Sequence, residues 1–381
     1  MKANPGGIVA PEDVIGRDKL IAQIWSRLEQ QSLILSAERR MGKTTIIKKM
    51  QAEAGENRLP IYRDLEGIRS PIEFVEAIWQ DVESYLSKTG KTAKRVRDFL
   101  HQLRGVEVTG VKLPDIATTH WKILLTKTIE DLVSNQDSQV VFLWDEMPYM
   151  LNNIGDELAM EVLDSLRMLR QTYPNVRMIF TGSIGLHHVV RKLKQKGYSN
   201  EPTNDMYPLD VPPLSLSNAI TLTSKLILGE NIKTNDVQKI AQEISESVGC
   251  IPFYIHHLIS ELKFYDGEVN SPVIQTTVVK SLLNPLNPWK MDHYLDRINN
   301  YYEPEQRKYA LNILDILAIE PALSFNDLYN RFAIENQTAD QEIVRDILRL
   351  LLKDYYLIQD GKKYQFRYQI VQKYWELSRG L

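Results

Sequence analysis

Four short strand-like runs limit the folds open to this chain: residues 32–36, 60–65, 140–144 and 176–180, of which the third, Val-Val-Phe-Leu-Trp, is wholly apolar. Between them lie segments of helical periodicity. Residues 18–28 carry Leu20, Ile21, Ile24 and Leu28 on one face, residues 44–53 follow a turn, residues 71–86 open with Pro71, and residues 157–171 separate the last two strands. Strands that alternate with helices pair in parallel, with the helices packed on both faces of the sheet. The expected fold class is therefore α/β with a three-layer core.

At 381 residues the chain exceeds what one hydrophobic core sustains, and its 43% apolar and 25% charged residues leave no stretch poor enough in apolar groups to stay unfolded. We expect a core over 1–213, with an inserted basic helix and hairpin at about 88–119 (Lys91, Lys94, Arg95 and Arg97, then an alternating stretch around Gly110). Helical patterns at 217–228, 235–248, 252–264 and 272–283 form an all-α lid over 214–283. Asn284-Pro285-Leu286-Asn287-Pro288 reads as a linker, since residues before proline avoid helix. In the last part, 284–381, helices at 305–319, 324–333 and 339–353 precede two strands joined by Asp360-Gly361, the order of a winged helix. Cys250 is the only cysteine, the N-terminus lacks the pattern of a secretory signal, and no run approaches membrane-spanning length, so a soluble cytoplasmic protein without membrane contact is expected.

Chemistry concentrates at two strand ends. Ser36-Ala37-Glu38-Arg39-Arg40-Met41-Gly42-Lys43-Thr44-Thr45 joins the first strand to a helix, the setting in which a P-loop works. Backbone N–H groups of Ala37, Arg40, Met41, Gly42 and Thr45 would face phosphates at the helix N-terminus. Lys43 would reach the β and γ phosphates of ATP, and the Thr44 hydroxyl would ligate Mg2+. Ala37 stands where the pattern has its first glycine, so that turn must tolerate a Cβ. The third strand ends in Asp145-Glu146, a Walker B pair: Asp145 for the magnesium ion and Glu146 to activate water for attack on the γ phosphate. The fourth strand runs into Thr181-Gly182-Ser183, where Ser183, in preference to Thr181, would sense the γ phosphate.

With these residues the chain resembles the AAA+ and STAND branches of the P-loop nucleoside triphosphatases, and within them the archaeal-type ATPase family. The resemblance spans nearly the whole chain and implies ATP binding and hydrolysis. Ile15-Gly16-Arg17-Asp18 is similar to the family's Gly-Arg-acidic motif over the adenine. Gly249-Cys250-Ile251-Pro252-Phe253 resembles its lid motif, in which Pro252 would approach the base. The resemblance also implies an intersubunit arginine finger, for which Arg191 is the candidate, while the lid carries no obvious sensor arginine.

His187-His188 and His256-His257 are adjacent rather than four apart, so neither is expected to hold a metal. A net charge of −3 provides no global basic field for nucleic acid. From residue 289 on, six lysines and seven arginines face eight aspartates and six glutamates, and the presumed recognition helix opens with Asp340 and Glu342; only Lys362, Lys363 and Arg367 form a small basic tip. The leading expectation is a nucleotide-driven switch whose winged helix meets a protein partner, a second copy or its own core. A DNA-associated ATPase and a non-hydrolysing nucleotide-binding scaffold are the alternatives.

Overall fold

All four expected strands lie in one parallel sheet: β1 (Leu33–Ser36), β2 (Arg58–Asp64), β3 (Gln139–Asp145) and β4 (Val176–Phe180), in the order β2-β3-β4-β1-β5. Sheet position explains their composition. β3 sits between β2 and β4 and is buried from Val140 to Asp145, which is why its sequence is apolar without alternation. The fifth strand, β5 (Tyr207–Asp210), is absent from the sequence reading. It is four residues long and contains Pro208, and its edge position beside β1 is where a strand tolerates proline.

This computed structural model describes residues 1–7, 9–86, 115–182, 185–336 and 340–381. The chain divides into two compact units, Arg17–Ser36 with Lys43–Val211, and Met1–Gly16 with Ala37–Gly42 and Pro212–Leu381. The first holds the sheet and helices α1 (Asp18–Leu28), α2 (Lys43–Ala52), α3 (Pro71–Val82), α4 (Asp115–Ser134), α5 (Met147–Ile154), α6 (Asp156–Thr172) and α7 (Leu186–Gln195). Trp144 centres its core, with ring centroids of Phe142, Phe74 and Phe180 at 5.0, 5.2 and 5.9 Å. The insertion expected at about 88–119 lies almost wholly outside the described residues; its end, from Asp115, belongs to α4.

The second unit carries α8 (Leu216–Glu230), α9 (Val237–Ser247), α10 (Pro252–Leu262) and α11 (Ser271–Leu282), each opening at an expected lid segment. Ser215, Asp236 and Asn270 cap α8, α9 and α11 by accepting N–H bonds from the first turn. Residues 284–288 contain no helix or strand. Then follow α12 (His293–Tyr301), α13 (Pro304–Ile319), β6 (Leu323–Ser324), α14 (Phe325–Glu335), α15 (Gln341–Lys353), β7 (Leu357–Asp360), β8 (Lys363–Phe366) and α16 (Gln369–Arg379). β8 pairs antiparallel with β6 and with β7, and Gly361, at φ 56°, makes the tight turn between β7 and β8. Trp289, Tyr294, Tyr356 and Trp375 are buried in this unit.

Candidate nucleotide site

β1 ends at Ser36 and α2 begins at Lys43, so Ala37–Gly42 make the whole turn. Left-handed backbone falls at Arg40 (φ 72°) and Gly42 (φ 86°), not at Ala37. Ala37 therefore meets the glycine position without strain, whereas Arg40 is held where a side chain costs about 1–3 kcal/mol.

In the first unit, Lys43 is buried at the start of α2. The neighbouring Thr44 Oγ1 donates to Asp145 Oδ2 at 2.5 Å, joining the helix to the carboxyl end of β3. Burial pushes the Asp145 carboxyl above the usual carboxylate range. Thr44 and the Glu146 N–H work against that shift, and the charges of Glu146 and Asp64 add to it. Asp64 is the register partner of Asp145 on β2, so three carboxylates gather at two strand ends. Tyr62 nearby has its hydroxyl held above its ordinary range, by burial first and then by Asp145, Asp64 and Glu146.

Glu146 is half-buried and left-handed, at φ 55° and ψ 30°, as the N-cap of α5. A glutamate in that conformation is strained, and such strain gathers at functional sites. The turn is fixed by Thr181, whose N–H donates to the Trp144 carbonyl at 3.0 Å and whose own carbonyl accepts from Met147 N–H at 3.0 Å. Thr181 is 2% exposed, and its Oγ1 is a buried hydroxyl without a hydrogen-bond partner. A Cβ at Gly182 would meet Pro148 Cδ at 2.6 Å, so only glycine fits between the ends of β4 and α5.

The other expected residues are spread more widely. Ser183 lies outside the described residues, and Arg191 is exposed on α7. Arg17, at the start of α1, is buried, and that burial lowers its guanidinium to about 10. Thr45 is half-buried on α2. Ile15 and Gly16 belong to the second unit, where Gly16, at φ 72°, passes so close to Asn218 that a Cβ would lie 2.6 Å from it. Pro252 is the first residue of α10, entered through the left-handed pair Gly249 and Cys250. Also in that unit, Met41 is fully buried and the Arg40 guanidinium lies 4.3 Å from the centroid of the Phe253 ring. The sequence reading missed Asp64 and Glu38. An alternation that placed β2 in register beside β3 would have found the first; nothing local marks the second.

The donor set in the first unit suits a hard divalent cation. Thr44 and Asp145 present oxygen ligands within hydrogen-bond distance of each other, and the mutual repulsion of Asp64, Asp145 and Glu146 is what such a cation relieves.

An AAA domain family matches residues 27–190. A search of curated protein sequences finds no match. Among solved structures, the chain is similar to the Walker-type ATPase PABY2304 of Pyrococcus abyssi, with a TM-score of 0.68 at 14% identity over 99% of this chain and 100% of that one. It is also similar to the Aeropyrum pernix ORC2 protein in its ADPNP-ADP complexes, with a TM-score of 0.54 at 11% identity over 99% and 98%. At such identities the likeness concerns fold. The sheet order, the strand-to-helix turn before Lys43 and the carboxylates ending β3 give the chain the α/β core of a P-loop nucleoside triphosphatase, within which residues 27–190 match an AAA domain.

Proposed function

We propose that the chain is an ATP-hydrolysing switch in which nucleotide state is passed to a C-terminal winged helix. The observation that carries the reading is the Thr44–Asp145 hydrogen bond beside a strained Glu146, because it brings a phosphate-helix hydroxyl to the acidic strand end. Lys43 would neutralise the β and γ phosphates, and the N–H groups at the start of α2 would cradle them. Thr44 and Asp145 would hold Mg2+, which supplies charge neutralisation at the phosphates when bound. Glu146 would orient and polarise the attacking water, with Ser183 or the buried Thr181 hydroxyl completing the polar contacts. Arg191, exposed on α7, would act across a contact between copies.

The three-part division, with a core over 1–213, a lid over 214–283 and a winged helix over 284–381, belongs to the same proposal. The order of three helices, α13 to α15, and a β-hairpin supports the last part. On the face of α15, Arg349 is paired with Asp346 at 2.7 Å and Arg345 with Glu342, so those arginines are already partly neutralised. That favours a protein partner or a second copy over duplex DNA. The test is ATP turnover by the purified chain with and without duplex DNA, beside Lys43→Ala. Turnover indifferent to DNA, with nucleotide binding lost in Lys43→Ala, is expected. Stimulation by DNA would bring the DNA-associated account forward, and tight ATP binding without turnover would favour the scaffold.

A further inference from the structure

A carboxylate in the phosphate-binding turn and a guanidinium 259 residues away form a buried pair within the second unit. Arg297, on α12, donates to both oxygens of Glu38, from Nη2 to Oε1 at 2.6 Å and from Nη1 to Oε2 at 3.0 Å. His293, one turn earlier, places Nε2 at 3.3 Å from Oε1, while its Nδ1 meets the Lys290 carbonyl. Glu38 is 1% exposed, and a buried charge of this kind persists only where it is paired and fully hydrogen-bonded.

The pair faces in two directions. Toward the turn, Glu38 Oε1 also accepts the Arg39 N–H at 2.7 Å, so the carboxylate fixes backbone immediately before the left-handed Arg40. Toward the C-terminus, Arg297 Nη1 donates to the carbonyl of Asp354 at 2.7 Å, and Asp354 ends α15 just before β7. The Asp354 carboxylate in turn accepts from Tyr302 Oη at 2.6 Å. One guanidinium thus joins the turn that precedes Lys43 to the end of the helix that precedes the hairpin.

We infer that Arg297 is a positioning residue for nucleotide binding: through Glu38 it preorganises the phosphate-binding turn, and through the Asp354 carbonyl it ties that turn to the end of α15. The inference rests on the ATPase reading above and adds the residue that links its two ends. Binding energy that a mobile turn would spend on ordering is saved when the turn is already held.

The test is a double-mutant cycle on the full chain, reading the dissociation constant for ADP and the KM and kcat for ATP in the wild type, Glu38→Gln, Arg297→Gln and the double variant. Each single variant is expected to weaken ADP binding about tenfold, the worth of one charge-assisted hydrogen bond. KM should rise in step while kcat at saturating ATP falls less, and the double variant should be no worse than the poorer single one. Arg297→Lys keeps the charge without the fork, so it should recover part of the affinity; if the glutamine variants do not fold, its loss of affinity decides the matter. Unchanged affinity in folded variants, or losses that multiply in the double variant, would overturn the inference alone. A wild type that binds no nucleotide would overturn it together with the ATPase reading.

Discussion

Glu38, in the turn before Lys43, and Asp145, at the end of β3, are both buried carboxylates, at 1% and 4% exposure, yet their surroundings push them in opposite directions. Burial raises both. Around Glu38 the charge of Arg297 and hydrogen bonds from His293 and Arg297 outweigh it, and the carboxyl ends well below its ordinary range. Around Asp145 the counterweights are one hydroxyl and one backbone N–H, and two further carboxylates push the same way as burial, so the carboxyl ends raised. The difference separates a carboxylate whose charge the fold itself satisfies from one whose charge the fold leaves for something else. The first is architecture; the second fits the proposed magnesium ligand, whose charge a bound cation would balance.

That comparison can be broken by removing each charge in turn. Glu38→Gln leaves the Arg297 guanidinium buried opposite a neutral amide, and should lower unfolding stability by about 3 kcal/mol, measured by denaturant titration without nucleotide. Asp145→Asn should act with the opposite sign. It removes a repulsive buried charge and should raise nucleotide-free stability by about 1 kcal/mol while abolishing turnover, the trade expected where a site is kept at the fold's expense. Loss of stability in Asp145→Asn would show that the aspartate is paired after all.

Acid sharpens the contrast. The depressed Glu38 contributes stability above its ordinary value of 4.5 that is lost as pH falls, so the deficit of Glu38→Gln should shrink in acid. Asp145 has a raised value, so its ionisation costs the folded state above the ordinary 3.8, and the advantage of Asp145→Asn should vanish below that pH. The two variants should therefore both converge on the wild type in acid, from opposite sides. Denaturant titrations at a series of pH values check this.

How much of this the sequence discloses depends on whether the cause is local. The central strands are legible because β3 is buried on both faces and reads as Val-Val-Phe-Leu-Trp. The meeting of Thr44 with Asp145 is legible because a helix opening on Lys-Thr after one strand and an Asp-Glu ending another fall at the same edge of a parallel sheet. β5 is not, since Pro208 in a four-residue edge strand reads as a turn. α12 is not, since His293–Tyr301 carries only three buried side chains among charged and amide residues. With α12 unseen, the partner of Glu38 could not be found, and the glutamate passes for a variable residue of the turn. Ala37 teaches the reverse lesson: it looks like a defect in the motif, but the strained positions are Arg40 and Glu146, and no residue preference announced them.

In the proposed mechanism Glu146, held left-handed beside Asp145, activates the water that attacks ATP. That role is tested most directly by single-turnover hydrolysis of bound ATP with Mg2+ in the wild type and Glu146→Gln. The variant is expected to retain ATP with near-normal affinity and to hydrolyse it about 100-fold to 1000-fold more slowly. Hydrolysis at the wild-type rate would contradict it.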